Sequence, residues 1–90
     1  MSENLHEEIN ELFELIVSIN NVEDCKDIFD DLCTYNEINS MAQRLQAAKL
    51  LNQGATYEEI IKKTDISSAT LSRVSRCVKF GKGYKKVFKK

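Results

Sequence analysis

The sequence predicts an all-α protein with a helix-turn-helix near its C-terminus. Apolar residues recur at spacings of three and four along most of the chain, and no stretch alternates apolar and polar residues as a half-buried strand would. Two short helical patterns are joined by a polar turn within residues 56–78. Ninety residues, 42% of them apolar, are enough for one small domain, so residues 1–90 are expected to fold as a unit.

Two helices are predicted in the N-terminal third. Apolar residues at helical spacing mark the first helix within residues 5–19, and Asn20 with Asn21 interrupts the pattern. A second helix is predicted over 22–32, because Asn21 is a favourable N-cap and acidic residues follow it where the helix dipole favours them. Thr34 and Glu37 form the next capping box, which opens a third helix that Gly54 is expected to close.

Residues 56–78 have the pattern of a helix-turn-helix. Thr56 with Glu59 predicts a capping box at the start of a short helix. Ile66 is the one apolar residue of the turn and is expected to fill the angle between the two helices. Ser67 or Ser68 caps the second helix, in which Leu71, Val74 and Val78 form a buried stripe.

The other face of this second helix suits a reader of the DNA major groove. Hydroxyl groups can bind base edges and phosphates, the methyl group of Ala69 can contact thymine, and arginine can bind guanine through two hydrogen bonds. The predicted DNA-contacting residues, with the lysines that follow, are Thr56, Ser67, Ser68, Ala69, Thr70, Ser72, Arg73, Arg76, Lys79, Lys82 and Lys85.

Charge is distributed very unevenly along the chain. Residues 1–37 contain eleven acidic residues and one lysine, whereas residues 38–90 contain twelve basic and three acidic residues, which gives net charges of −10 and +9. Such a field attracts phosphate to the C-terminal half and repels it from the N-terminal half. The segment 79–90 carries six lysines, and Gly81 is expected in the left-handed conformation past the end of the reading helix. Tyr84 and Phe88 then form one face of a short helix that packs on the body or on a partner, or the segment frays as a basic terminus.

Other classes of function lack sequence support. Cys25, Cys33 and Cys77 form no C-x-x-C pair, so a disulfide framework or a zinc site is not expected, and the three are interpreted as small buried hydrophobic residues that stay reduced. The lone His6 lies in an acidic helix and is expected at the surface. No nucleophile lies beside a base and no glycine-rich phosphate loop is present, so we expect no enzyme activity and no cofactor. The acidic start differs from a secretory signal and no apolar run would cross a membrane, which predicts a cytoplasmic protein.

The first and third helices carry apolar residues on more than one face, for example Leu12 with Phe13 and Leu50 with Leu51. A domain of this size is marginal alone, so we expect a homodimer with the N-terminal helices in its interface. The predicted division is a dimerisation region at 1–55, a helix-turn-helix at 56–78 and a basic tail at 79–90. The alternative is a protein-interaction module or regulatory subunit in which the helix-turn-helix is only a scaffold; RNA binding is a lesser variant.

From Thr34 to Lys79 the order of these parts resembles the Trp repressor superfamily. The resemblance rests on Arg44 in the capped third helix, its L-L-x-x-G ending at residues 50–54, Thr56 with Glu59, and the S-A-T-L-S-R segment at 68–73. The M-A-Q-R-L segment at 41–45 is similar to the YerC/YecD branch of that group. The resemblance implies an intertwined all-helical dimer that binds DNA and represses or otherwise regulates transcription.

The same resemblance implies a candidate effector or anion pocket made of Thr34, Arg44, Arg73, Val74 and Cys77. In the Trp repressor, tryptophan lies between two arginines that Arg44 and Arg73 match. Val74 replaces a glycine that makes room for the indole, and Cys77 replaces a serine that meets the amino group of the ligand. Tryptophan is therefore not expected as corepressor, and the two arginines instead bind phosphate or pair with an acid of the other subunit.

Overall fold

The structure, a computed structural model, describes residues 4–88, and helices are the only regular secondary structure within that range. Its helices are α1 (Leu5–Ser18), α2 (Val22–Leu32), α3 (Tyr35–Asn52), α4 (Tyr57–Thr64), α5 (Ser68–Phe80) and α6 (Gly83–Val87). The predicted all-α class is confirmed. The chain divides into two compact units, residues 1–35 and residues 36–90. None of the helices within 4–88 has the length and apolar character that a membrane span requires.

The first unit contains α1 and α2. Ile19 has extended backbone and ends α1, one residue before the predicted limit. The side chain of Asn21 accepts a hydrogen bond of 2.8 Å from the backbone N–H of Asp24, which confirms the predicted N-cap of α2. Neither helix contains a buried residue, and Phe13 leaves 57% of its surface exposed.

The end of α3 has the geometry of a Schellman motif. Gly54 has φ of 91°, its N–H donates to the carbonyl of Leu51 at 3.0 Å, and the N–H of Ala55 donates to the carbonyl of Leu50, also at 3.0 Å. These two bonds satisfy carbonyls that have no partner within the helix. Gly54 therefore ends α3 as predicted, and the chain turns directly into α4.

Residues 56–67 form a capped short helix and a three-residue turn. The Thr56 hydroxyl accepts from the N–H of Glu59 at 3.2 Å, and the Glu59 carboxylate accepts from the N–H of Thr56 at 2.9 Å, so the predicted capping box is confirmed. After Thr64 the backbone of Asp65 adopts the left-handed conformation, with φ of 62°. Ile66 is 2% exposed and lies in the core, as predicted.

The buried core belongs to the second unit. It consists of Ala47, Ala48, Ile60, Ile66, Leu71 and Val74, with Val78 packed against it. The two alanines of α3 have small side chains, which leaves room for residues of α4 and α5 to pack closely against that helix. An eight-residue helix such as α4 is too short to be stable alone, so this packing and its caps hold it in place.

The C-terminal segment contains a correction. Gly81 has φ of −80° and ψ of 172°, so the prediction that it adopts the left-handed conformation is wrong. Glycine is required there because a Cβ atom would lie 2.5 Å from the carbonyl oxygen of Cys77. Helix α5 does end at Phe80, as predicted, and the rings of Tyr84 and Phe88 stack with centroids 5.9 Å apart and pack against the core. The last two lysines of the predicted tail lie outside the described residues.

Candidate nucleic-acid interface

One face of α5 is exposed and polar, while the opposite face is buried. Leu71 and Val74 lie in the core, and no acidic residue occupies the first turn of α5. Hydroxyl groups, one methyl group and two guanidinium groups therefore share the solvent side of one helix. The predicted contact residues that are exposed on α5 are Ser68, Ala69, Ser72, Arg73, Arg76 and Lys79.

Three of the predicted contact residues also have structural roles. The Ser67 hydroxyl accepts from the N–H of Thr70 at 3.2 Å, and its Oγ lies 2.9 Å from Oγ1 of the half-buried Thr70. Ser67 is thus the N-cap of α5, which decides between the two serines. Thr56 is exposed but belongs to the capping box of α4, where its hydrogen bonds hold the pKa of Glu59 below its ordinary value.

The surroundings of α5 are strongly basic. Between residues 60 and 88 the sequence has eight Lys and Arg residues and one acid, Asp65. Lys82 and Lys85 are exposed beside and within α6. Because exposed cations of one sign attract phosphate over roughly a Debye length, this segment is suited to the backbone of a nucleic acid.

The residues of the candidate effector pocket occupy dissimilar environments. Thr34 belongs to the first unit and the other four to the second. Arg44 is half-buried, and its Nε donates to the carbonyl of Ser40 on its own helix at 3.3 Å, whereas Arg73 is exposed. Val74 is 2% exposed within the core, and Cys77 is half-buried with a free thiol. The side chain of Val74 thus fills interior space.

Two open grooves lie on the second unit. One, of about 550 Å³, lies between α3 and the end of α4; the other, of about 530 Å³, follows the end of α5. Cys77 lines the second groove with Gly81, Lys82, Gly83, Tyr84 and Val87. The first groove is lined by Asn39, Ala42, Gln43, Gln46, Leu50, Lys63 and Thr64.

Sequence reasoning missed Gln43 as an individual residue. Its Nε2 donates to the carbonyl of Thr64 at 2.8 Å, which joins α3 to the last residue of α4. The position belongs to the M-A-Q-R-L segment, but a glutamine on a helix is usually a solvated residue. In the structure Gln43 is half-buried and lies one helical turn before the buried Ala47, so the packing of α3 against α4, and not a local pattern, reveals that it faces the neighbouring helix.

The fold and this surface define a small all-helical protein with a basic, hydroxyl-rich helix exposed after a tight turn. Residues 7–90 match the family model of the Trp repressor protein, and the chain belongs to that family.

The chain is also similar to individual proteins of this type. It is 50% identical over 74 residues to the uncharacterized protein YerC of Bacillus subtilis (strain 168), which covers 82% of this chain and 71% of that protein. A candidate Trp repressor from Staphylococcus aureus has a crystal structure that matches with a TM-score of 0.87 and 41% identity, over 97% of this chain and 91% of that one. A TrpR-like protein from Eubacterium eligens ATCC 27750 matches with a TM-score of 0.88 and 42% identity, over 91% and 86% of the two chains.

Proposed function

We propose that this protein is a DNA-binding transcriptional regulator, a repressor that reads double-stranded DNA with α5 as the second helix of a helix-turn-helix. The observation that carries the proposal is the exposed face of α5, where Ser72, Arg73 and Arg76 lie opposite the buried Leu71 and Val74. An arginine presented in this way can bind guanine through two hydrogen bonds in the major groove. Membership in the Trp repressor family supports a regulator rather than an enzyme.

Two kinds of DNA contact are proposed. Ser68, Ala69, Thr70, Ser72 and Arg73 face base edges, because they occupy the first two turns of α5. Thr56, Ser67, Arg76 and the lysines at 79, 82 and 85 bind the phosphate backbone, which fixes the register of the protein but carries no sequence information. The net charges of −10 and +9 in the two halves of the sequence would orient the protein on DNA in the cytoplasm.

The proposed active form is a homodimer. Helices α1 and α2 have no buried residue, and large apolar side chains such as Phe13, Val17 and Val22 are exposed on them. A second copy would cover such surface and bring two reading helices about one turn of DNA apart, roughly 34 Å. In this division of roles, residues 1–55 dimerise, 56–78 read DNA and 79–90 bind its backbone.

Tryptophan is not the proposed corepressor. The buried Val74 occupies interior space and Cys77 offers a thiol in place of a hydroxyl group. Arg44 and Arg73 are instead proposed to bind phosphate or an acid of the second copy. Isothermal titration with tryptophan should therefore give no heat of binding. A saturable heat signal would show that tryptophan binds this protein and would contradict the proposal.

The test is a selection from pooled genomic DNA fragments with the purified protein at several salt concentrations, followed by sequencing of the bound DNA. Enrichment of a short two-fold symmetric sequence, with affinity that falls as salt rises, is the expected result. No enrichment at any salt concentration would contradict sequence-specific binding.

A protein-interaction module is the second candidate, and the exposed apolar surface of α1 and α2 favours it, because another protein could cover that surface. Under this alternative, replacing Arg73 and Lys85 by alanine would leave partner binding intact. Under the proposed function the same double variant loses DNA binding.

A further inference from the structure

A short chain of hydrogen bonds runs from α3 into the turn between α4 and α5. Gln43 Nε2 donates to the carbonyl of Thr64 at 2.8 Å. The hydroxyl of Thr64 donates to the carbonyl of Ile60 at 2.8 Å and accepts from the N–H of Ile66 at 3.3 Å. Thr64 therefore connects the body helix on one side with the turn on the other.

The residues that form these hydrogen bonds are placed so that the conformation of the turn depends on the bonds. Thr64 is the last residue of α4, where carbonyl groups have no partner within the helix. Gln43 and Thr64 are both half-buried, so water only partly replaces a lost partner. Ile66, whose N–H is the last link, is nearly buried, and α5 begins two residues later. A shift of Thr64 would move Ile66 and with it the start of α5.

We infer that Gln43 is a positioning residue for DNA reading, which fixes the turn, and hence the direction of α5, relative to α3 through the carbonyl of Thr64. This inference rests on the proposed function. Gln43 touches no base in this scheme; it acts through Thr64 and Ile66. In this scheme the hydrogen bond from Gln43 couples the direction of α5 to the position of α3.

The first arm of the test measures amide hydrogen exchange in Gln43→Met, which keeps the length of the side chain but removes the donor. The N–H of Ile66 should exchange about fivefold faster, as expected for the loss of one partly buried hydrogen bond, while the N–H of Leu71 in the core changes little. The matched control is Gln46→Met, three residues further along α3 in an exposed position on the same groove. Equal exchange of Ile66 in the two variants would overturn the inference.

The second arm measures DNA affinity with the sequence that the wild-type protein enriches and with unrelated DNA of equal length. Gln43→Met should bind the enriched sequence about fivefold more weakly, with unrelated DNA bound nearly as before, because base contacts require an accurate direction of α5 whereas non-specific binding depends mainly on charge. If the N–H of Ile66 exchanges faster in Gln43→Met but the ratio of affinities for the enriched sequence and unrelated DNA is unchanged, Gln43 has no role in DNA reading. If the wild-type protein enriches no sequence, the proposed function fails, and the exchange arm alone decides whether Gln43 fixes the turn.

Gln43→Glu adds a test by rescue. The carboxylate cannot donate to the Thr64 carbonyl, but the protonated carboxyl group can. Burial beside a carbonyl oxygen raises the pKa of this glutamate in the folded state, so its stabilising contribution appears as pH falls. The melting temperature of Gln43→Glu relative to Gln43→Met should therefore rise between about pH 7 and about pH 4. A difference that is constant with pH would contradict a donor role for Gln43.

Discussion

The two units of this chain are both built from α-helices but differ in what those helices bury. In the second unit six residues of α3, α4, α5 and the turn form a core, and even the eight-residue α4 is fixed by it. In the first unit α1 and α2 are longer than α4 and contain no buried residue. The contrast teaches that a capped helix needs packing partners to be stable. The second unit has such partners in its own core, whereas the first unit has an exposed apolar surface that is suited to a partner.

The largest expected effect is a loss of stability from a substitution in the core of the second unit. Leu71→Ala removes a fully buried side chain next to Ile60 and Val74 and should lower the free energy of unfolding by about 2 to 5 kcal/mol, measured by urea denaturation. Its neighbour Ser72 is exposed, so Ser72→Ala should change stability by about 0.5 kcal/mol or less. Equal effects of the two substitutions would show that α5 is not held by this core.

The matching change in the first unit should act on association instead. Phe13→Asp places a charge on an exposed apolar side chain of α1 and should raise the dimer dissociation constant at least about tenfold in sedimentation equilibrium. Glu14→Gln, on the adjacent exposed residue, is the control. If the wild-type protein is monomeric, or if the dimer is insensitive to Phe13→Asp, the proposal that a second copy covers the first unit is contradicted.

The reading surface can be divided by contact type. Arg73→Ala should cost about 1 to 3 kcal/mol at particular base pairs of the enriched DNA and relax the preference there, as should Thr70→Val. Lys85→Ala and Lys82→Ala should weaken all sequences alike and reduce the salt slope by about 1 each. Fluorescence anisotropy titrations at several salt concentrations separate the two classes, and identical behaviour of all four variants would exclude direct readout by α5.

The turn between α4 and α5 offers a smaller effect on the same core. Asp65 has φ of 62°, a conformation that costs a residue with a side chain roughly 1 kcal/mol and glycine almost nothing. Asp65→Gly should therefore raise the melting temperature slightly, whereas Asp65→Ala should lower it by a few degrees in thermal unfolding, because alanine lacks the short polar side chain that helps aspartate to tolerate this conformation. Stabilisation by alanine would mean that the turn adopts another backbone conformation.

The smallest effect concerns the capping box of α4. Its hydrogen bonds from Thr56 lower the pKa of Glu59 in the folded state, so its stabilising contribution is present above the unfolded pKa and is lost as pH falls through the folded one. Between about pH 6 and about pH 3 the melting temperature of the wild-type protein should fall more than that of Glu59→Gln. Glu58→Gln changes the same turn outside the capping box and should follow the wild-type pH profile.

Local chemistry explains which features the sequence could predict. The Thr56–Glu59 box, the Asn21 cap and the burial of Ile66 depend on residues close in sequence, and all three are confirmed. The bond between Gln43 and Thr64 spans 21 residues and depends on how α3 and α4 pack, so no local pattern reveals it. Gly81 was misread because a glycine after a helix has the same pattern whether it relieves backbone strain or a contact with Cys77.

The candidate nucleic-acid interface was also predictable only in part. Spacing of the buried Leu71 and Val74 placed Arg73 and Arg76 on the open face of α5, where the structure has them. The spacing could not show which hydroxyl groups cap helices and which are available to DNA, because capping and DNA binding use the same residue types. Ser67 caps α5, which leaves fewer hydroxyl groups free for bases than the pattern suggests.

The central claim, that two copies of this chain read DNA with paired α5 helices, is tested most directly by a hydroxyl-radical footprint on the enriched fragment. The account predicts two symmetric protected patches about one helical turn apart, roughly 34 Å, both weaker with Arg73→Ala at the same protein concentration. A single protected patch, or a footprint that survives Arg73→Ala unchanged, would contradict it.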